Sequence, residues 1–294
     1  MPELPEVETI ARGLKKILPS KTIISVNFDW PKGFPNSRAD IKYFLINAKV
    51  ISIKRRAKVL IINLNTKYSL VIHLKMTGQL VFVDDKNRWG GGHPNDSLIN
   101  TLPDKTTRVV FKFSDGSNLF FNDQRKFGWV RLVPTVEVSS IDFFKKVGPE
   151  PLSSDFKSKE FISRIRKRPG TSIKAAILDQ SVLAGVGNIY ADEALFLAKI
   201  HPVQQVQLIK DMEIKKLFDS IKKVLRLCID KGGSSVRNYI NAEGKKGNYL
   251  SYTKVFKREG KPCLDCGETI IKIRVAGRGT HICPRQQILR QAGN

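Results

Sequence analysis

Apolar positions change their spacing several times along the chain. From Glu6 to Ile17 they recur at Val7, Ile10, Leu14 and Ile17, the repeat of one helical face, which predicts a leading helix. From Thr22 to about Leu132 they fall instead into short β-rich runs: Ile23–Val26, Val50–Ile53, Val59–Ile62, Ser69–Ile72, Val109–Phe113, Asn118–Phe121 and Trp129–Leu132. Short strands parted by polar turns predict a β-sandwich or barrel. Inside that region, Asp85–Thr106 is rich in Gly, Asn and Asp, with Gly90-Gly91-Gly92, and reads as a mobile surface loop. Pro134–Pro151 reads as a linker in which Phe143 and Phe144 are candidates for docking on a domain. Helical spacing returns between Ser154 and Ile229, through Phe161-Ile162 and Ile165, Ala175–Leu178, Ile189–Leu197 and Ile214–Ile229. Gly232-Gly233 closes it; a polar, basic stretch then runs to about Tyr252, ahead of two β-runs around Cys263–Cys283. No internal repeat is visible.

Length and charge narrow the class. A chain of 294 residues exceeds what one core usually serves, so two or three domains are expected. No run of 18 apolar residues exists, which excludes a membrane-spanning helix, and no basic-then-apolar leader follows Met1, so a cytoplasmic protein is expected. Lys and Arg number 51 against 27 Asp and Glu, a formal charge of +24. Such an excess beside an ordinary 41% hydrophobic content points to a polyanionic partner, most simply nucleic acid. Spread along the whole chain rather than held in a tail, the charge suggests a broad binding surface. A basic metabolic enzyme or a ribosome-associated protein are the alternatives on charge alone.

Candidate chemistry starts at the first residues, Met1-Pro2-Glu3-Leu4-Pro5-Glu6-Val7. With Met1 trimmed, Pro2 carries a terminal secondary amine, expected to titrate somewhat above an ordinary α-amino group at about 8. Such an amine can attack an electrophilic sugar carbon and form an iminium ion. Glu3, one residue away, can give or take a proton. Taken alone, Pro2 and Pro5 would merely stiffen a terminus.

Further motifs share a theme of glycine beside basic residues. Gly185-Val186-Gly187-Asn188 between two helices can admit a phosphate to backbone N–H groups, with Asn188 as a further donor; a plain turn is the simpler alternative. His73–Gly78 and Asn122–Gly128 each set a bulky side chain among basic ones, so Met76 and Phe127 can be wedges and Arg125 the filler of an emptied base position, or else core residues. Lys58 and Arg278 lie in turns, where they can reach phosphate or stay solvated. Cys263, Cys266 and Cys283 have zinc-ribbon spacing, but the fourth position holds Gln286; Cys228 reads as core, and His281 is near enough to substitute, although adjacent hairpin residues often point away.

Together these segments resemble the bacterial formamidopyrimidine-DNA glycosylases, from Pro2 through Gln287. The motifs are PELPEVE, RRAKVL, HLKMTG, DQRKFGW, GPEPL, the block Gln180–Tyr190, GGSS at 232–235, and VAGRGTHICP. The resemblance implies an α+β multidomain fold: an N-terminal β-sandwich with a leading helix over 1–133, a linker over 134–152, a helix-two-turn-helix domain over 153–233, and a lesion-capping loop with a zinc-finger-like β-hairpin over 234–294. It implies a base-excision-repair enzyme that removes 8-oxoguanine and formamidopyrimidines from duplex DNA and then cuts the strand by β,δ-elimination; with no sign of oligomerisation in the sequence, a monomer is the default. Carried onto this chain, Pro2 is the nucleophile, Glu3 protonates the opening sugar, Glu6 orders the catalytic water and the amine, and Lys58 contacts the phosphate beside the lesion. Met76, Arg125 and Phe127 match the intercalating triad. Lys174, Asn188 and Arg278 match phosphate contacts, His73 joins the DNA-binding set, and about Arg237–Tyr252 matches the capping loop. One zinc per chain is implied on Cys263, Cys266 and Cys283. Two positions depart from the family pattern: Lys75 replaces an arginine, and Gln286 replaces the fourth cysteine. The sister enzyme endonuclease VIII, a lesion-binding protein without catalysis and an RNA-binding protein are the competing readings; the PELPEV start and the Met76/Arg125/Phe127 set favour the purine enzyme.

Overall fold

A computed structural model of the chain describes residues 2–233 and 249–290. It divides into two compact units, 1–145 with 231–248 and 146–230 with 249–294.

The first unit is built on two antiparallel sheets. One has the strand order β1-β7-β8-β5-β6, from Ile23–Phe28 (β1), Gly78–Val83 (β5), Arg88–Gly92 (β6), Thr107–Phe113 (β7) and Asn118–Asp123 (β8). The other runs β2-β3-β4-β9, from Val50–Arg56 (β2), Val59–Leu64 (β3), Tyr68–His73 (β4) and Trp129–Pro134 (β9). Inward residues of both sheets share one core with the leading helix α1, Leu4–Ile17. That helix packs on β2 and β6, which are edge strands of the two different sheets. It therefore covers two edges that would otherwise present unpaired backbone groups. Its buried Val7, Ile10 and Leu14 each contribute about 1.5–3 kcal/mol of apolar burial. Beyond the short helix α2 (Arg38–Asp40), β3 is apolar on both faces. Leu60 and Ile62 enter the main core, while Val59 and Ile61 are covered by Val138 and Phe144. Phe144 belongs to the helix α3 (Asp142–Lys145), so the expected docking of this linker segment is observed.

The Asp85–Thr106 segment differs from expectation. It is not a free surface loop: β6 pairs with β5, a 3-10 turn follows at Asp96–Leu98, and Trp89 and Leu98 are buried. Its glycines serve close approach. A Cβ on Gly92, at φ +129°, would come within 2.4 Å of Gly78 O, and one on Gly90 within 2.8 Å of Leu98 Cδ2. The β5 run was likewise absent from the sequence reading, because His73–Gly78 dominates that stretch as a turn.

The second unit holds α4 (Ser158–Arg166), α5 (Ile173–Leu178), α6 (Asn188–Ala198), α7 (Asp211–Asp230) and the hairpin β10–β11 (Ile271–Val275 and Arg278–Ile282). Helix α6 is buried nearly all round. Tyr190, Ala191, Ala194 and Leu195 join the helical core, and Phe196 joins a smaller core with Val255, Cys263, Ile270 and Cys283. The helices and the hairpin thus share α6. Cys228 is a core residue of α7, as expected. Among the described residues no helix is long and apolar enough to cross a membrane.

The contact between α1 and β6 carries a stability test. A Cβ on Gly13 would lie 2.4 Å from Trp89 Cζ2. Alanine favours a helix by about 1 kcal/mol over glycine, whereas overpacking a core costs about 1–3 kcal/mol. Gly13→Ala is therefore expected to lower stability in urea unfolding; a more stable variant would show that the ring and helix are not packed this way.

Candidate active site and nucleic-acid interface

Pro2 precedes helix α1 by two residues and is buried. Glu3 is the helix N-cap, and its N–H donates to Glu6 Oε2 at 2.9 Å, so Glu6 is folded back over the chain start in a capping-box arrangement. Both carboxylates are 5% exposed. The terminal segment is thus fixed by the helix that follows it, and two acids stand within four residues of Pro2. On the next turn, Glu8 Oε2 accepts from Arg55 Nε at 2.8 Å, and Arg55 Nη1 donates to Ala57 O at 2.9 Å. Ala57 and Lys58 make the turn between β2 and β3, with Ala57 at φ +53°. Arg55 therefore ties the turn carrying Lys58 to the helix that begins at Leu4. Burial raises the Glu8 carboxyl, but Arg55 and Arg12 outweigh it and hold it below its ordinary value. Lys58 itself is 6% exposed.

The three candidate wedge residues sit on two loops organised by one carboxylate. Asp123, 1% exposed at the end of β8, accepts from Thr77 Oγ1 and from Arg125 N (3.2 Å) on one oxygen and from Gly128 N (2.6 Å) on the other. Arg125 N also donates to Thr77 Oγ1 at 3.0 Å. Met76 and Phe127 are held outward, 39% and 53% exposed, with the Arg125 guanidinium 4.7 Å from the Phe127 ring centre. Two large apolar side chains in water beside a cation are poor core residues and good wedges. A Cβ on Gly128 would meet Phe121 Cζ at 2.7 Å, and one on Gly78 would meet Leu74 O at 2.3 Å, so each loop closes on a glycine for steric reasons.

His73 is not on that surface. Only 5% exposed, it packs against Trp129 and Phe143, and its Nδ1 accepts from Lys75 N at 2.9 Å. Burial, then the charges of Lys75 and Lys58, push its pKa down to about 3, so it is a neutral buttress of the Met76 loop. His93, which the sequence reading passed over, ends the β5–β6 pairing; its carbonyl accepts from the buried Gln79 side chain, and burial lowers its pKa. The signal for it was a single histidine after three glycines.

In the second unit the turn before α6 is plugged by Gln180. Its Nε2 donates to Leu178 O and Val186 O, at 3.0 and 2.8 Å, and its Oε1 accepts from Gly185 N at 2.9 Å. Gly185, at φ +81°, lets the chain enter α6 with Asn188 at its first position. Arg278 opens β11 after the Ala276-Gly277 turn and is exposed. Asn188 Nδ2 donates to Gly279 O at 3.0 Å, which sets Asn188 beside Arg278's neighbour. Lys174, expected to meet a phosphate, is instead 0% exposed: its Nζ donates to Asp192 Oδ1 at 2.6 Å and Thr280 Oγ1 at 2.7 Å. An ammonium this deep is held by its partners.

The sulfurs of Cys263, Cys266 and Cys283 lie within 4.8 Å of one another. Burial pushes the Cys283 thiol up to about 12, so holding these crowded sulfurs as thiolates requires a cation among them. The side chain of Gln286, which in the sequence occupies the place of a fourth cysteine, hydrogen-bonds to Cys266. Three of four zinc positions are therefore provided. His281 turns to Asp192 and Phe256 and is not a substitute ligand. The expected capping stretch, about Arg237–Tyr252, lies outside the described residues except for a 3-10 turn at Tyr249–Tyr252.

Comparison with known proteins fits this geometry. Three family models match: the formamidopyrimidine-DNA glycosylase N-terminal domain over residues 1–130, the H2TH domain of the same enzymes over 147–239, and a zinc finger found in FPG and IleRS over 260–285. They define a DNA-repair glycosylase with a helix-two-turn-helix module and a zinc-finger-type hairpin. The formamidopyrimidine-DNA glycosylase of Pelotomaculum thermopropionicum is 39% identical over 98% of this chain and 99% of its own length. That of Herpetosiphon aurantiacus is 41% identical over 97% and 98%. Among solved structures, a Lactococcus lactis FPG mutant complexed with Fapy-dG-containing DNA superposes with a TM-score of 0.85 at 37% identity, covering 98% of this chain and all of that one. A MutM complex with carbocyclic 8-oxo-G-containing DNA gives 0.84 at 37%, with the same coverage. The chain belongs to the formamidopyrimidine-DNA glycosylase family.

Two tests follow from the first unit. In Asp123→Asn one carboxamide oxygen replaces two acceptor oxygens, stranding buried donors at about 1–3 kcal/mol each. A loss of at least about 2 kcal/mol in urea unfolding is expected, with weaker binding to a lesion-containing duplex; an unchanged variant would mean the carboxylate does not organise the loops. His73 gives a pH test. An unfolded imidazole takes a proton below its ordinary 6.5 and the folded one only near 3, so stability is lost as pH falls through that window. Between pH 6 and 4.5, His73→Gln should lose less stability than the parent, by up to about 2 kcal/mol. Equal slopes would contradict the burial assigned to this ring.

Proposed function

We propose that this protein is a bifunctional DNA glycosylase and AP lyase that removes oxidised purines, 8-oxoguanine and formamidopyrimidines, from duplex DNA. The observation that carries the reading is the terminus: Pro2 stands immediately before a buried helix, with the carboxylates of Glu3 and Glu6 folded onto that segment. The relatives' printed names, and titles describing complexes with Fapy-dG, 8-oxo-G and abasic-site DNA, support the substrate class.

In this reading the unprotonated nitrogen of Pro2 bonds to C1′ of the damaged nucleotide as the bond from C1′ to the base breaks; the amine gives up its N–H proton, and the departing base takes one up. Glu3 protonates the ring oxygen as the sugar opens, leaving an iminium ion between protein and C1′. Loss of a C2′ proton then expels the 3′ phosphate, and a second elimination expels the 5′ phosphate. Glu6 positions the amine and the water that finally frees C1′. Lys58 takes the phosphate beside the lesion. Extruding a base costs a few kcal/mol, and Met76, Phe127 and Arg125 fill the space it leaves. Asn188 and Arg278 add phosphate contacts, which offset that cost and make binding steeply salt-dependent. Lys174 and His73 support these contacts from inside.

Cys263, Cys266 and Cys283 would hold one zinc, with the Gln286 carboxamide beside it; the metal's contribution is to crosslink the base of the hairpin. The domain division proposed is 1–133, 134–152, 153–233 and 234–294, on a monomer working at the chromosome of a bacterial cell.

The test is borohydride trapping on a duplex with 8-oxoguanine opposite cytosine, using protein whose Met1 removal is verified by mass. A covalent adduct is expected, reduced at least a hundredfold in Pro2→Gly and in protein carrying a residue ahead of Pro2. Correctly processed protein that binds this duplex and yields no adduct would leave only a lesion-binding role.

A further inference from the structure

Helix α6 reads Asn188-Ile-Tyr-Ala-Asp192-Glu193-Ala-Leu-Phe-Leu-Ala198, two adjacent acids inside an otherwise apolar run. Both are buried, at 0% and 2% exposure. Carboxylates so deep persist only with strong partners, and here the partners belong to the finger region. Asp192 Oδ2 accepts from His281 N at 2.9 Å, while its Oδ1 holds Lys174 Nζ, which in turn donates to Thr280 Oγ1. Asn188 holds Gly279 O. The three residues that follow Arg278 are thus each bonded to α5 or α6. Glu193 takes the other approach to the cysteines, accepting from Lys254, Val255 and Phe256 N–H groups at 2.8, 3.0 and 2.8 Å. Burial raises the Glu193 carboxyl, and these three donors oppose it. Beyond the cysteines, Gln287 Nε2 donates to Ile200 O at 3.0 Å.

We infer that Asp192, with Lys174, and Glu193 are positioning residues that latch the hairpin to α6, so that Arg278 is held in place independently of the metal. In this arrangement Gln286 can stand in place of a cysteine without freeing the far end of the hairpin. The cysteines lie at the base of the hairpin, Cys283 being five positions from Arg278, whereas the latch bonds begin at the adjacent residue. A weakened metal site therefore leaves the phosphate-reaching end of the hairpin where it was. The functional consequence rests on the reading of Arg278 as a DNA contact; the latch itself does not.

The experiment is hydrogen–deuterium exchange on the full chain, zinc-loaded and chelator-stripped, with metal content measured in each sample. Peptides covering 271–282 report the hairpin, and those within α7 report whether the unit is folded. Stripping is expected to change hairpin exchange less than threefold in the parent. Because Asp192→Asn leaves Lys174 buried without its counter-ion and can unfold the unit, the main variant is Lys174→Met with Asp192→Leu, which removes both charges together. Thr280→Val is a milder second variant. The double variant should exchange at least tenfold faster in the hairpin, with α7 unchanged, whether or not zinc is bound, and should bind an abasic-analogue duplex with at least fivefold higher Kd. A hairpin that loosens on stripping but not in the double variant would overturn the latch. Arg278→Ala separates the two readings: an unchanged Kd there, with hairpin exchange still governed by Asp192, removes the DNA role of Arg278 and leaves the latch standing.

Discussion

Pro2, the proposed nucleophile, is followed by structure on one side only. It is positioned by starting a helix two residues later and burying that helix across the edges of two sheets. The apolar face of α1 fixes the helix, the Glu3–Glu6 cap fixes its first turn, and the cap leaves Pro2 nowhere far to go. The same helix sends Glu8 to Arg55, and so sets the turn carrying Lys58 relative to the terminus. Position, more than intrinsic reactivity, is what the fold supplies, and position is worth a large part of a barrier in reactions of this kind.

A second theme is the buried carboxylate used as a joint. Asp123 ties the Met76 loop to the Arg125–Phe127 loop, and Asp192 ties helix α6 to the hairpin of Arg278. In both cases exposed candidate side chains are mounted on backbone fixed by a buried carboxylate. Such joints are costly to break, because the stranded donors are also buried.

Much of this was legible in the sequence. The period of Val7, Ile10, Leu14 and Ile17 gave the helix, and seven β-rich runs correspond to strands of the two sheets. The cysteine spacing gave the cluster, and the missing fourth cysteine is where Gln286 stands. What was not legible has physical causes. Strand β6 was hidden because its glycines, needed where β5 and Leu98 come close, look like a flexible loop. Asp123 and Asp192 were hidden because the partners that make them joints, Thr77 and His281, lie 46 and 89 positions away in the chain. The family resemblance assigns Lys174 and His73 to the DNA-binding set, yet each is buried by aromatic or polar partners that a linear reading cannot assign. Two acids within an apolar helix were the available clue to the second joint.

The central claim concerns one nitrogen, and it is tested most directly by locating the bond it forms. After reduction of the protein–DNA intermediate with borohydride and digestion of both components, mass spectrometry of the peptides assigns the residue that carries the deoxyribose remnant. The account predicts the remnant on the amino-terminal peptide, at Pro2. Finding it on a lysine such as Lys58, with the Pro2 peptide unmodified, would contradict it.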